Sequence, residues 1–412
     1  MKVLITFLCT ICILFGGVAQ TPVETHGALS VMGNQIVNKD GQAVSFAGNS
    51  LFWSNTGWGG EDFYKPAVVE WLHADWNTTI VRAAMGVDEN GGYLSDASNS
   101  QKVKTVVDAA IDLGIYVIID WHSHHAEDYE EEAIAFFEEM ATLYGDNEHV
   151  IYEIYNEPLN TTSWSNSIKP YAEAVIAAIR AIDNDNLIIV GTSTWSQDVD
   201  IASNNPIMGY SNIAYTLHFY AGTHGQSLRN KAQVALNNGI ALMVTEWGAV
   251  NANGDGSVDA SETQLWMDFL QENNISHCNW ALNDKNEGAS ALRPGSNTNG
   301  NWSANDLTTS GNMVRNIVYN WDRDPNLITG VGADTEAFSF KLYPNPARGV
   351  TYLSLSNNQQ ILSISITDIS GSELSKVDNS TRKLDLSKMN SGVYFVTIET
   401  ELGKLTKRLI KE

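Results

Sequence analysis

Two short segments end in glutamates placed to do chemistry. One is Ile151-Tyr152-Glu153-Ile154-Tyr155-Asn156-Glu157-Pro158, and the other is Ala241-Leu242-Met243-Val244-Thr245-Glu246-Trp247-Gly248. In each, an apolar run of strand character stops at a carboxylate beside a turn-former. A carboxylate at the C-terminal end of a parallel strand is where barrel enzymes keep their chemistry. Two of them, on strands far apart in sequence, are the minimum for cleaving a glycosidic bond. One protonates the leaving oxygen, and the other attacks or assists from the opposite side. Other polar groups fall at equivalent places. Arg82 lies at the end of the run 79–83, His218 ends 213–218, and His122 follows the strand ending in Asp120. A cation beside a carboxylate keeps it ionised, as a nucleophile requires. Any one of these alone reads better as a rim salt bridge or cap. Five together, each just past an apolar run, argue for a site.

The elements that must position these groups alternate. Strand-like runs cover 44–48, 79–83, 115–120, 150–154, 187–190, 213–218, 242–246 and 276–280. Helical periodicity is clearest over 100–113, 130–143, 167–182, 225–237, 261–272 and 311–321. Eight strands with intervening helices predict an α/β fold, a parallel (β/α)8 TIM barrel, over residues 21–321. An open doubly wound sheet is the competitor, but no glycine-rich dinucleotide loop follows the first strand. Residues 322–336 are polar, with Pro325, Gly330 and Gly332, and read as a linker. Beyond it the period changes to two, as in Leu362-Ser363-Ile364-Ser365-Ile366-Thr367. Residues 337–412 are therefore expected to form a small all-β, immunoglobulin-like sandwich.

The 412 residues carry a net charge of −24, which argues against nucleic acid and anionic membrane surfaces as partners. The acidity is uneven. From Ala337 onward there are 10 Lys+Arg against 7 Asp+Glu, while the preceding 336 residues hold 14 against 41. Residues 1–20 have a charged tip, a short apolar core and small residues near Ala19, as in a cleaved signal peptide. Cys9 and Cys12 would leave with it. Cys278 would then remain alone, in an apolar run that makes it a buried small hydrophobe rather than a nucleophile.

Asn156-Glu157-Pro158, Thr245-Glu246-Trp247-Gly248, Arg82-Ala83-Ala84-Met85, Asp120-Trp121-His122 and Leu217-His218-Phe219-Tyr220-Ala221-Gly222-Thr223-His224-Gly225 together resemble glycoside hydrolase family 5, in particular its bacterial endo-β-1,4-glucanases. The resemblance covers roughly residues 27–319. It implies that Glu157 is the general acid/base and Glu246 the nucleophile of a retaining mechanism. It places Asn156 near the sugar 2-hydroxyl and has Arg82, His218 and Tyr220 hold and ionise Glu246. His122 would bind substrate or orient the site. Trp280, Trp58 and Trp195 resemble the family's sugar platforms, with Trp53 able to share the role of Trp58. Lys285 and Glu287 match residues that bond a distal glucose, although on sequence alone they are a charged loop. No cofactor and no metal are expected.

Two metal readings compete with blander ones. His122, His124 and His125 cluster after a strand, but no carboxylate–His motif of ligand spacing accompanies them. Residues 251–262 carry oxygen side chains at positions 1, 3, 5, 9 and 12 with glycine at 6, close to a calcium loop. The alternative is an active-site loop in which Asp259-Ala260-Ser261-Glu262 caps the next helix. The tail has its own resemblance. Leu342-Tyr343-Pro344-Asn345-Pro346-Ala347, Ser391-Gly392-Val393-Tyr394 and Lys407-Arg408-Leu409-Ile410-Lys411 resemble the sorting domain of type IX secretion substrates. That implies passage through periplasm and outer membrane, a secreted or surface location, and contact with the secretion machinery. A carbohydrate-binding sandwich is the alternative, but the tail has no tryptophan.

The expected protein is thus a secreted monomer acting on a β-glucan, with no membrane segment once mature. Within the same chemistry, a mannanase, xyloglucanase or mixed-linkage glucanase shares both glutamates and differs in cleft loops. A non-catalytic glycan-binding barrel is the reading from another class, against which stand the intact Glu157, Glu246, Arg82 and His218.

Overall fold

The computed structural model describes residues 20–321, 340–355, 361–368, 373–378, 382–400 and 403–412. The leader expected before Gln20 and the linker expected at 322–336 lie outside the described residues. Eight parallel strands close into a barrel: β1 (Ala47–Leu51), β2 (Ile80–Gly86), β3 (Tyr116–His122), β4 (Val150–Glu153), β5 (Ile188–Val190), β6 (Ile213–Tyr220), β7 (Ala241–Gly248) and β8 (His277–Leu282). Each pairs with the next, and β8 pairs back to β1. This is the expected TIM barrel.

All eight expected strands are present. The first is displaced, from 44–48 to Ala47–Leu51. Its middle, Gly48-Asn49-Ser50, does not read as apolar, yet it is buried, and Asn49 Oδ1 and Ser50 Oγ each find a partner. Thr78 Oγ1 donates to Asn49 Oδ1 at 3.0 Å, and Arg82 Nη1 reaches Ser50 Oγ at 3.3 Å. Gly48 is required there: a Cβ would lie 1.6 Å from the Ile80 carbonyl oxygen, so β1 and β2 could not approach.

The six expected helices appear as Asn99–Leu113, Glu130–Tyr144, Lys169–Arg180, Gln226–Asn237, Ala260–Glu272 and Thr309–Asn320. A seventh, Pro66–Trp76, begins with proline, where a missing N–H costs nothing, and buries Val68, Val69, Leu72 and Trp76. Trp71 and Trp76 are packing residues, as their positions in it require.

Inside the barrel the N-terminal end is apolar. Ile80, Tyr116, Ile118, Ile151, Ile189 and Met243 pack together with Cys278, whose thiol burial pushes up. Val23, Leu29, Ile36 and Phe46 close this floor from the N-terminal segment. Polar side chains are therefore confined to the other end, above a dry base. Among the described residues no helix is long and apolar enough to cross a membrane.

The C-terminal residues form a three-stranded and a four-stranded antiparallel sheet. Phe340, Leu353 and Leu384 from the first meet Ile364, Ile366, Val396, Ile398 and Leu409 from the second in one core. That is the expected sandwich.

Candidate active site

Arg82, from β2, is the hub. Its fork of N–H groups spreads over five partners at the C-terminal ends of the strands. Nε donates to Glu153 Oε2 at 2.7 Å, and Nη1 reaches Glu246 Oε2 at 3.1 Å. Nη2 donates to Asn156 Oδ1 at 2.7 Å and pairs with Asp120 Oδ2 at 2.9 Å. The fifth partner is the Ser50 hydroxyl. Burial opposes the guanidinium charge, but Asp120, Glu153 and Glu246 hold its pKa well above the ordinary arginine value. For Glu153, burial works against ionisation, and Arg82 and then His218 outweigh it, so its carboxyl falls below the usual range.

Glu246 lies within β7, and its two oxygens have separate donors. Arg82 holds Oε2, while the Tyr220 hydroxyl donates to Oε1 at 2.7 Å. Burial and then Glu157 push the Glu246 carboxyl up; His218, Arg82 and the Tyr220 bond pull it back without cancelling the rise. Arg82, His218 and Tyr220 all favour the Glu246 charge, as expected, but they do not determine it alone. The neighbouring carboxylate has to be counted.

Glu157 stands past the end of β4, in a loop pinned to β3. Asn156 N–H donates to Trp121 O, and Glu157 N–H donates to Ser123 O at 3.2 Å. The charge of His218 helps ionise Glu246, as expected, but its hydrogen bonds go elsewhere. It contacts Glu157 rather than Glu246: Nδ1 lies 2.8 Å from Glu157 Oε1, and Nε2 lies 2.9 Å from Thr245 Oγ1. Thr245 in turn donates to Glu153 Oε1 at 2.6 Å. Burial lowers the His218 pKa, but Glu246, Glu153 and Glu157 together raise it to about 9. An oxygen of Glu157, an oxygen of Glu246 and a nitrogen of His218 all lie within 4.8 Å of one another.

His122 has its Nδ1 2.6 Å from Asp120 Oδ2, which fixes the proton on that nitrogen and leaves Nε2 as an acceptor. Burial, and then Arg82, His124 and His218, keep this imidazole neutral. Its ring stacks on Trp280 at 5.0 Å and meets the edge of Trp53 at 4.2 Å. Trp53 lies 5.5 Å from Trp58, which is 40% exposed, so the two tryptophans make one aromatic wall. Lys285 and Glu287 pair with each other at 2.8 Å, and the Lys285 ammonium sits over Phe52, itself 5.3 Å from Trp280. Trp195 is exposed and carries a left-handed backbone, φ 53°, between Thr194 at 59° and Ser196 at 58°. Such a conformation costs about 1–2 kcal/mol per non-glycine residue.

Neither metal reading gathers ligands. His122 is bound to Asp120 and His124 Nδ1 lies 3.1 Å from Glu157 O. Among the described residues, the only acid–imidazole group close enough to hold an ion is Glu157, His218 and Glu246 itself, where the Arg82 guanidinium stands against Glu246. In the 251–262 loop, Asp259 accepts the Glu262 N–H at 2.9 Å and caps the helix Ala260–Glu272. The Glu262 carboxylate, which a calcium loop needs at its twelfth position, is committed to Arg229.

Asp120, Glu153 and Thr245 were not singled out from sequence. Their signal was present: charges inside otherwise apolar strands must be paired. Asp120 and Glu153 are also register partners across β3 and β4.

An eight-stranded parallel barrel with two carboxyls facing each other at its C-terminal rim defines the class of barrel glycoside hydrolases. Residues 37–286 match the cellulase family, glycosyl hydrolase family 5, and the chain belongs to that family. Residues 341–412 match the secretion system C-terminal sorting domain. The chain is 63% identical over 294 residues to Endoglucanase Z of Dickeya dadantii, covering 71% of this chain and 66% of that protein. It is 49% identical over 299 residues to an endoglucanase of Clostridium saccharobutylicum, covering 71% and 65%. The chain thus spans slightly less than two thirds of these curated relatives. A solved structure from Cytophaga hutchinsonii matches with TM-score 0.71 at 52% identity, covering 73% of this chain and 96% of that one. The catalytic domain of a Thermobifida fusca endoglucanase matches with TM-score 0.69 at 32% identity, covering 73% and 99%.

Proposed function

We propose that this chain is a secreted, retaining endo-β-1,4-glucanase acting by double displacement on cellulose or a related β-glucan. The observation that carries the reading is the approach of the Glu157 and Glu246 oxygens to within 4.8 Å. Retaining enzymes hold their carboxyls about 5–5.5 Å apart, whereas inverting ones need about 6.5–9.5 Å for an intervening water.

Two carboxyls this close do not both ionise freely. Glu246 faces the Arg82 N–H, a group that can only donate, and the Tyr220 hydroxyl, so the negative charge belongs there. Double displacement requires the proton of the pair to be on Glu157 in the first step. In the first step a Glu246 oxygen bonds to the anomeric carbon as the glycosidic C–O bond breaks. The Glu157 proton passes to the departing oxygen. In the second step the Glu157 carboxylate takes a proton from water as that water attacks the anomeric carbon and releases Glu246. Arg82 holds Asn156 Oδ1, which leaves the amide nitrogen as the donor for the sugar 2-hydroxyl. Trp280, Trp53, Trp58 and Trp195 supply apolar faces for sugar C–H surfaces. His122, Lys285 and Glu287 supply polar contacts along the same cleft.

In this reading residues 1–20 are a cleaved leader, 21–321 the catalytic barrel, 322–336 a linker and 337–412 the sorting domain. The tail match supports export; passage through the periplasm and outer membrane and a monomeric barrel belong to the same proposal. The test is product analysis on carboxymethyl cellulose, barley glucan, glucomannan and xyloglucan. Newly released ends should carry the β-anomer first, and Glu246→Ala should abolish turnover while glycan binding survives. Near wild-type turnover in that variant would defeat the assignment.

A further inference from the structure

Past β5 three successive non-glycine residues, Thr194, Trp195 and Ser196, turn in the left-handed region. Backbone this unfavourable persists only where its surroundings over-determine it, and it clusters at functional sites. The contacts of this turn converge on one segment. Trp195 N–H donates to Pro158 O at 2.8 Å, and Thr194 N–H donates to Leu159 O at 3.4 Å. The buried Ser196 hydroxyl donates to Asn156 O at 2.7 Å and accepts the Thr192 N–H at 3.3 Å. The three carbonyls flank Glu157 on both sides. From behind, Thr194 Oγ1 bonds Asp198 Oδ2 at 2.6 Å, and Lys231 pairs with the other oxygen of Asp198.

The Glu157 segment is therefore clamped between two supports. The end of β3 and Ser123 just past it take its N–H groups, and the left-handed turn takes its carbonyls. The turn also carries the exposed Trp195. We propose that Ser196 is a positioning residue for Glu157, and that the turn joins the acid/base loop and the Trp195 ring into one rigid piece. The inference rests on the reading of Glu157 as acid/base. Straightening the turn would shift both the carboxyl and the aromatic face, so ordering a sugar on Trp195 also orders the proton donor. Ser196 then matters to the bond-breaking step in proportion to how much that step needs a proton.

That dependence separates positioning from mere structural support. In the full chain, kcat/KM is measured on cellotetraose, whose leaving group must be protonated, and on a dinitrophenyl cellobioside, whose leaving group departs without a proton. Ser196→Ala should lower kcat/KM on cellotetraose about tenfold or more, since small misplacements of a reacting group are costly. It should leave the aryl glycoside within about twofold. Equal losses on both substrates, or no loss on either, overturn the proposal. Ser196→Gly accepts φ 58° without strain and also lacks the hydroxyl, so it carries the same test if the alanine variant fails to fold. Glu157→Ala is run in parallel. Azide should restore its turnover of the aryl glycoside as the glycosyl azide. Failure of that rescue sinks the acid/base reading itself, whatever Ser196 does.

Discussion

His218 joins the two halves of the site by standing between Glu157 and Thr245, 2.8 Å from one and 2.9 Å from the other. Thr245 gives its own proton to Glu153, so it accepts from His218 Nε2. Nδ1 then donates to Glu157 only if the imidazole is charged.

The first prediction follows from that charge. Burial disfavours it, yet Glu246, Glu153 and Glu157 raise the His218 pKa to about 9, above the ordinary value of 6.5. The stabilisation is complete below about pH 6.5 and is lost as pH rises through about 9. It is on the order of 3 kcal/mol. The melting temperature of the wild type should fall across that window, and that of His218→Gln should fall much less. Parallel slopes for the two proteins would refute the charged imidazole.

Tyr220→Phe removes the 2.7 Å bond to Glu246 Oε1. That bond lowers the Glu246 pKa, so its loss should move the acid limb of the kcat/KM profile to higher pH. Hydrogen bonds to charged groups are worth about 1.5–3 kcal/mol, so kcat/KM at the optimum should fall about tenfold to a hundredfold. An acid limb that stays put would separate Tyr220 from the nucleophile.

Arg82→Lys keeps the charge and loses the fork. A lysine cannot reach Asp120, Glu153, Asn156 and Glu246 together, so buried carboxylates are left without a partner. Stripping one member from a buried ion cluster costs about 3–5 kcal/mol. The denaturation midpoint in urea should drop accordingly, with activity lost as well. An unchanged midpoint would mean that the cluster contributes nothing to stability.

The 251–262 loop makes a negative prediction. Its Glu262 is already committed to Arg229, and its Asp259 to a helix N-terminus. Calorimetric titration of the chelated protein with calcium should show no saturable heat, and calcium should not raise the melting temperature. A stoichiometric heat would reverse the helix-cap reading.

The barrel was legible because most of its strands carry an apolar run that meets a polar group at or near the C-terminal end. Glu157, Glu246, Arg82 and His218 could be found for that reason. β1 was misplaced because Asn49 and Ser50 are polar and buried, and burial of that kind depends on partners from other strands. Glu153 and Asp120 escaped for the same reason: each looks like an interruption until Arg82 is seen between them. The partner of His218 could not be read at all, since Glu157 and Glu246 lie on either side of it and only the folded barrel decides. Lys285 and Glu287 came from family resemblance, and the structure shows them paired with each other at the edge of the aromatic wall.

Glu157, His218, Thr245, Glu153, Arg82 and Glu246 form one unbroken string of side-chain hydrogen bonds. Five of the six come from within barrel strands, and only Glu157 stands outside them. The gap between the two glutamates is thus gauged by the staves of the barrel, as the jaws of a vice are set by its frame. Loops at the rim can lengthen, shorten or change their aromatic faces without resetting that gauge. Descendants of such a chain could turn to new polymers while cutting every one of them the same way.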